Sequence, residues 1–513
     1  MRIGVDVGGT NTDAVLMDGE NVLATCKRPT TANVSDGIVN AIGQVLTDGK
    51  ATPDSIQAVM IGTTHFTNAF VERRELLPVG ILRIGLPATR ALPPMIDWPK
   101  DIASTVYGQH HLVRGGYQYD GRINADLDEK AIALAAREMK GARIKAVAVS
   151  CVFSPINNEM EERAEEIILN EIPDAAVTLS CQIGRIGLLE RENAGIMNAA
   201  LADLARKVVT SFRTALSDLK IKAPFFISQN DGTLMKADRV EKYPVLTFSS
   251  GPTNSMRGAA YLSGAKNALV ADIGGTTTDI GILANGFPRE SSIAVDIGGV
   301  RTNFRMPDIF ALGLGGGSLV SNQSGVLVGP QSVGFRLTEQ ALVFGGKTIT
   351  ASDIAVAAGY ADFGDKGLVK NLAPDFVEQA VQRIHAIVED GVDRMKTSAD
   401  DLPLILVGGG SVLINREIRG TSEVIIPENA GVANAIGASI AQIGGEVDRV
   451  FSYEELGREE AIRQAKSEAI AKAVSAGAVP QTVEIIDLEE MPLAYVPGGA
   501  VRMRVKAAGK LQI

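Results

Sequence analysis

DVGGTNTDAVL at residues 6–16 and DIGGTTTDIGI at residues 272–282 are near copies of one another. Each follows a short apolar run, IGV at 3–5 and ALVA at 268–271. Asp6, Gly8, Gly9, Thr10, Thr12 and Asp13 recur as Asp272, Gly274, Gly275, Thr276, Thr278 and Asp279. A strand ending in Asp, a Gly-Gly turn and hydroxyls leading into a second strand describe a phosphate-binding hairpin. Glycine admits an anion close to the backbone N–H groups and tolerates positive φ. Two such hairpins, about half the chain apart, predict two related lobes closing on one nucleotide.

Asp6 and Asp272 fall where the two strands end, which makes them the candidate catalytic carboxylates and the candidate ligands of a hydrated Mg²⁺. That ion keeps several waters and takes one or two carboxylates plus phosphate oxygens. Gly8, Gly9, Thr10, Asn11 and Thr12 on one side, and Gly274, Gly275, Thr276 and Thr277 on the other, are the candidate phosphate ligands. Charge neutralisation and positioning are the main things a protein contributes to phosphoryl transfer. A third Gly-rich turn, LVGGGSVLI at 406–414, offers Gly408, Gly409, Gly410 and Ser411 to a flat ring or ribose. GVANAIGASIA at 431–441 reads as a helix with small residues on one face, suited to close packing. DIGG at 296–299 lacks the following hydroxyls and second Asp, and reads as a plain strand turn.

At 513 residues, more than one domain is expected. Hydrophobic content of 45% and charged content of 21% are those of an ordinary globular protein. A net charge of −10 argues against nucleic acid or an acidic membrane as partner, since both call for a basic footprint. No apolar run has the length of a membrane span, and the N-terminus is expected to enter a core strand at Ile3, leaving no room for a signal peptide. Cys26, Cys151 and Cys181 show no CxxC spacing, which fits a reducing cytoplasm.

Strand signals alternate with helical ones through the first half, at 3–8, 12–17, 56–62, 78–84, 144–152 and 175–179 against 34–48, 126–141 and 157–171. That alternation marks an α/β fold. Residues 85–125 read as a long ordered insertion, and 189–219 as a long helix linking the lobes. From about 447 the composition changes: an Ala-, Glu- and Lys-rich helix at 453–476 precedes strand-like runs at 481–486 and 500–506, with a linker near 445–452. The expected division is therefore 1–188, 189–445 and a small α+β module at 446–513.

The order of hairpin, hairpin, Gly-rich turn and small-residue helix is that of the actin, sugar-kinase and heat-shock-chaperone ATPase superfamily. Within it the chain resembles the hydantoinase/oxoprolinase family, of the hydantoin-utilisation A-subunit type. GTTHFTNAFVERR (62–74), LLERENAGIMNAAL (188–201), SSGPTNSMRGAAY (249–261), FRMPDIFALGLGGGS (304–318) and TITASDIAVAAG (348–359) carry that likeness over roughly residues 1–445. Departures include Phe310 where the family often has His, Asp231 where a second Gly is usual, and a short C-terminal module. The resemblance implies two duplicated actin-like (ribonuclease H-like) lobes around a nucleotide cleft, with ATP and Mg²⁺ as cofactors. The implied activity is hydrolysis of a cyclic amide of the hydantoin or 5-oxoproline type after phosphorylation of its carbonyl oxygen. It also implies a second subunit of the B type, or a homo-oligomer. Thr64, His65 and Asn68 then become the candidate groups at the substrate carbonyl or γ-phosphate, although a helix start at Thr64 is an alternative. Glu72 and Arg73 are a candidate ion pair, Arg191 a candidate phosphate or substrate contact or a solvated charge, and Asp308 and Asp353 candidate cation ligands or turn caps. A small-molecule kinase and an ATP-driven chaperone share the hairpins and remain alternatives.

Overall fold

The computed structural model of the protein describes residues 1–8, 11–29, 34–291, 294–303, 306–322, 325–493 and 498–512. Each hairpin stands at the heart of its own sheet. Strand Arg2–Val7 pairs antiparallel with Asn11–Asp18, with Asp6 opposite Asp13, and parallel with Ala58–Thr63, with Asp6 beside Gly62. Strand Ala268–Ile273 repeats this with Thr278–Ala284, placing Asp272 opposite Asp279, and with the parallel strand Leu402–Val407, placing Asp272 beside Val407. Apart from Arg2, Asp6 and Asp272, both central strands are apolar, as expected of strands covered on two faces. Helix Val34–Asp48 covers the first sheet with Ile38, Ala41, Ile42 and Val45, all buried at helical spacing. Helix Pro374–Met395 does the same for the second with Val377, Ala380, Val381, Ile384 and Val388. The fold is thus the duplicated two-lobe actin-like α/β architecture.

The first sheet is larger than the hairpin alone suggests. Nine strands lie in it, and Phe225–Ser228, Thr233–Lys236, Gln442–Ser452, Ala500–Gly509 and Glu484–Pro492 extend it beyond Ala58–Thr63. The sheet therefore crosses the boundaries expected at 188/189 and 445/446. The stretch read as a linker, 445–452, lies within an eleven-residue strand, and the C-terminal strands hydrogen bond into the first lobe. The alanines of the C-terminal helix explain how. Ala461, Ala465, Ala469 and Ala473 form one fully buried row on Arg458–Ala476. Gly445 lies so close beneath that a Cβ there would collide with Ala469 and Ala473 backbone atoms. A composition that resembles a free-standing charged helix is a small-residue seam.

Residues 85–125 also hold more structure than their composition suggested. Helix Lys100–Val106 and strand Tyr107–Arg114 lie there, and the strand is the edge of a four-stranded parallel sheet with Val79–Leu86, Ala146–Cys151 and Ala176–Leu179. The long linking helix is two helices, Leu188–Ala200 and Ala202–Asp218. DIGG forms the turn of a short hairpin, Val295–Ile297 with Val300–Thr302. Among the described residues no helix is long and apolar enough to cross a membrane.

Candidate functional site

The two parallel strands that flank the hairpins end in the two other motifs. Ala58–Thr63 runs into Thr64 and helix His65–Val71, and Leu402–Val407 runs into Gly408–Gly410. The duplication therefore makes the Thr64–Asn68 segment and the triple-Gly turn positional equivalents, each at the carboxyl end of a strand beside an aspartate. Ligands of open α/β sheets bind outside such strand ends.

Asp6 is almost fully buried. Its Oδ2 accepts from the Asn434 amide at 2.9 Å, while Oδ1 has no hydrogen-bond partner among the described residues. A Cβ on Gly62 would run into both Asp6 Oδ1 and Asn254 Nδ2, so the two side chains press on the same glycine. Burial, and then the neighbouring Asp13 carboxylate, push the Asp6 carboxyl up to about 7, against the Asn434 hydrogen bond. Asp13 is likewise raised by burial, with Lys27 opposing; Lys27 Nζ donates to Asp13 Oδ2 at 2.8 Å, and Asp13 Oδ1 is a second buried oxygen without a hydrogen-bond partner among the described residues. Asp272 is raised by burial, with Ser255 and Lys27 as favourable neighbours. Asp279 is pushed up to about 7 by burial and by the Asp272 charge. The mutual effects of Asp6, Asp13 and Asp272 bring both hairpins to one cleft.

Three elements close that cleft. Helix Ser250–Ser263 carries Asn254 toward Asp6 and the adjacent Ser255 toward Asp272, so one turn of helix addresses both lobes. It begins at Ser249, a non-glycine residue in the left-handed region at φ 57°, an uncommon conformation that concentrates at functional sites. Helix Ala433–Ser439 delivers Asn434. It fits because Gly258 lies against the Ala433 carbonyl, Gly437 against the Asn254 carbonyl, and Gly4 against the Ala435 carbonyl. The small residues of this helix are the contact surface. Third, the loop 313–317 lies on the second hairpin, where Gly316 N and Gly317 N donate to the Gly274 and Gly275 carbonyls at 3.0 and 2.7 Å.

Of the phosphate ligands read from sequence, Gly9 and Thr10 lie outside the described residues. Gly8 N donates to Asn11 O at 3.0 Å and Gly274 N to Thr277 O at 2.9 Å. Those two amides close their turns. Thr12 is buried in its strand, whereas Gly275, Thr276 and Thr277 are exposed. Gly408 has φ +84° and lies so close to Asp272 and Ile273 that a Cβ would collide with both. Gly410 N donates to Ile273 O at 2.7 Å, and Ser411 is buried in the following turn. Gly409 is 4.0 Å from the Lys27 side chain, measured from where its Cβ would stand.

Thr64 lies against the first hairpin, with its N–H 3.3 Å and its hydroxyl 3.4 Å from Val7 O, and its Oγ1 accepts from Asn68 Nδ2 at 3.3 Å. Helix His65–Val71 starts there, but the Thr64 side chain makes no cap hydrogen bond. His65 Nδ1 bonds the Thr63 hydroxyl at 2.7 Å, and burial holds the ring below its ordinary pKa, hence neutral.

Other charged residues have structural duties. Arg191 is fully buried; its guanidinium donates to Ser180 Oγ at 2.9 Å and to the Arg185 and Ile186 carbonyls at 2.8 and 2.7 Å. It is neither a solvated charge nor exposed to a ligand. Beside it Glu192 is paired with buried Arg83 and accepts from Ser150 at 2.7 Å. Arg73 pairs with Asp101 at 2.8 Å and Glu72 with Arg74, so the expected Glu72–Arg73 pair is not formed. Asp308 pairs with Arg289 at 2.7 Å. Asp353 accepts from Val343 N and Thr350 N and closes a capping box with Thr350.

Sequence reading missed Lys27, Asn254 and Asn434. Asn254 lies in SSGPTNSMRGAAY, quoted above for its family likeness, and Asn434 in GVANAIGASIA, quoted for its small residues. Their polar residues are the signal that was available.

The buried carboxylate oxygens without partners fit a cation. In a native interior such atoms call for water, an ion or a ligand. Mg²⁺ takes one or two carboxylates and fills the rest of its shell with water and phosphate oxygens, which suits a site with no cluster of three or more metal-ligating side chains among the described residues.

The hydantoinase/oxoprolinase N-terminal region is matched over residues 2–172, and the hydantoinase/oxoprolinase domain over 191–365. Caprolactamase subunit alpha of Pseudomonas jessenii is 27% identical over 397 residues, covering 70% of this chain and 54% of that protein. Acetophenone carboxylase gamma subunit of Aromatoleum aromaticum is 27% identical over 401 residues, covering 70% and 53%. The chain thus spans about half the length of these relatives. The crystal structure of the ATP-dependent caprolactamase from Pseudomonas jessenii shares the fold, with a TM-score of 0.78 at 21% identity over 100% of this chain and 88% of that one. The chain belongs to the hydantoinase/oxoprolinase family.

Proposed function

We propose that the protein binds ATP with Mg²⁺ between its two hairpins and uses it to open a cyclic amide of the hydantoin or 5-oxoproline type. The observation that carries this reading is the pair of aspartates, buried Asp6 and partly buried Asp272, facing one cleft from duplicated strand ends. Asp6 and Asp272 would hold the metal, whose charge favours their ionised forms over the protonated forms that burial favours. The outer parts of the hairpins, with Asn11, Gly275, Thr276 and Thr277, would hold phosphates, and Gly408–Ser411 would face the adenosine. On the opposite, equivalent strand end, Thr64, neutral His65 and Asn68 would orient the amide carbonyl. An unstrained cyclic amide is a poor electrophile. Transfer of the terminal phosphoryl group from ATP to its carbonyl oxygen, with ADP leaving, activates the carbon. Water adds there, the ring C–N bond breaks as the nitrogen takes a proton, and the acyl phosphate so formed is hydrolysed to carboxylate and inorganic phosphate. The two relatives named above are subunits, which supports a partner subunit or an oligomer for the hydrolytic half of the reaction.

The test is ATP turnover by the purified chain, alone and with the product of its neighbouring gene, across a panel of hydantoins and lactams. Amide-dependent ADP release with ring-opened product is expected. A stable phosphorylated alcohol would instead identify a kinase, and ATPase activity stimulated by protein but indifferent to every amide would identify a chaperone.

A further inference from the structure

The register of the two sheets shows a cation that the duplication does not repeat. In the first lobe Asp6 stands opposite Asp13, and Asp13 stands opposite Lys27 on strand Asn21–Pro29. Directly opposed residues of antiparallel strands share a face, so Asp6, Asp13 and Lys27 form one row across three strands. The equivalent row of the second lobe is Asp272, Asp279 and Ala311 on strand Ile309–Leu312. One lobe supplies a cation where the other supplies a methyl group.

Lys27 also spans the cleft. Its Nζ donates to Asp13 Oδ2 at 2.8 Å and to Gly431 O of the second lobe at 3.0 Å, and its charge acts on Asp272 as well as on Asp13. Asp13 is buried, whereas the Lys27 side chain keeps 40% of its surface exposed. The ammonium is therefore anchored at the cleft on a side chain that keeps access to solvent. Asp6, Asp13 and Asp272 act on one another here, and a nucleoside triphosphate adds more negative charge than one divalent ion cancels. A flexible lysine is a point charge suited to a phosphate oxygen.

We propose that Lys27 is a phosphate-binding residue: on entry of the triphosphate its ammonium turns from Asp13 to the terminal phosphate while the Gly431 contact holds the lobes together. This rests on the nucleotide-cleft reading above. The experiment is calorimetric titration of the full chain with Mg·AMPPNP and with Mg·ADP, for wild type, Lys27→Met, Lys27→Arg and the double variant Lys27→Met/Asp13→Asn. Loss of a charge-assisted hydrogen bond corresponds to about tenfold or more in affinity. Lys27→Met should weaken AMPPNP by at least that factor and ADP by much less, and Lys27→Arg should recover part of it. The double variant removes both members of the ion pair, which a fold tolerates better than removal of one, and it should stay weak. Recovery of wild-type affinity in the double variant would reduce Lys27 to a counter-ion for Asp13 and overturn the proposal. Equal loss for AMPPNP and ADP, or no loss, would overturn it too. Wild-type protein that binds neither nucleotide would instead remove the cleft reading on which it stands.

Discussion

Asp6 accepts from Asn434 of one helix and lies beside Asn254 of another, and burial more than either amide sets its state before any ligand arrives. Asn434 donates to one oxygen, Asn254 crowds the other, and burial keeps the carboxyl near neutrality at about 7. Asn434→Ala removes a buried donor, which costs about 1–2 kcal/mol in stability. Urea midpoints should report that loss, and Mg·nucleotide affinity should fall with it. A variant with unchanged midpoint and affinity would show that Asp6 is oriented by something else. His65 gives a second residue-scale test. Burial lowers its folded pKa, so stability from the neutral ring is complete above the unfolded value of about 6.5 and is lost as pH falls below it. His65→Gln should flatten the decline in Tm between pH 7 and pH 5 relative to wild type. An identical slope would mean that the ring titrates as it does in the unfolded chain. The aspartates themselves were legible because they end strands before Gly-Gly turns. Lys27, Asn254 and Asn434 were not, because their roles depend on which strands and helices meet across hundreds of residues.

The elements that bring them together are joined by glycine. Helices Ser250–Ser263 and Ala433–Ser439 cross where Gly258 and Gly437 meet opposing carbonyls. Adding even one methyl there forces a backbone shift, and overpacking of this kind costs about 1–3 kcal/mol. Gly437→Ala should therefore lower the unfolding midpoint and, because the obstructed carbonyl belongs to Asn254, weaken nucleotide binding as well. A drop in stability with full affinity would separate the helix crossing from the site. Sequence predicted a small-residue helix suited to tight packing. It could not say that the packing partner carries the other asparagine. The same limit applies to 85–125, where Gly, Pro and Tyr without periodicity concealed the edge strand Tyr107–Arg114. An edge strand has one unpaired side and so a weaker apolar pattern.

At the scale of the whole molecule, the first lobe is assembled from both ends of the chain. Strands from residues 2–29 and from 442–509 share one sheet, and Val447, Phe451, Met503 and Val505 are buried with Met60 and Leu234 in one apolar cluster. Deleting residues 446–513 should strip that face and abolish soluble, cooperatively folding protein. A well-behaved truncated monomer with an unchanged thermal transition would show that the C-terminal strands are dispensable. Composition alone marked this region as a distinct module, because its Ala-rich helix differs from the rest and strand pairing over such distances leaves no local trace. The duplication was visible throughout, and it fixes where the account is most exposed. If both hairpins serve one nucleotide, neither aspartate suffices alone. The direct test is the thermal shift of wild type, Asp6→Asn and Asp272→Asn with Mg·AMPPNP, with and without the metal; a ligand that binds only the folded state raises Tm with its concentration. Metal-dependent stabilisation of wild type, lost in each variant, is the expected result. Full metal-dependent stabilisation retained by both variants would contradict a shared cleft.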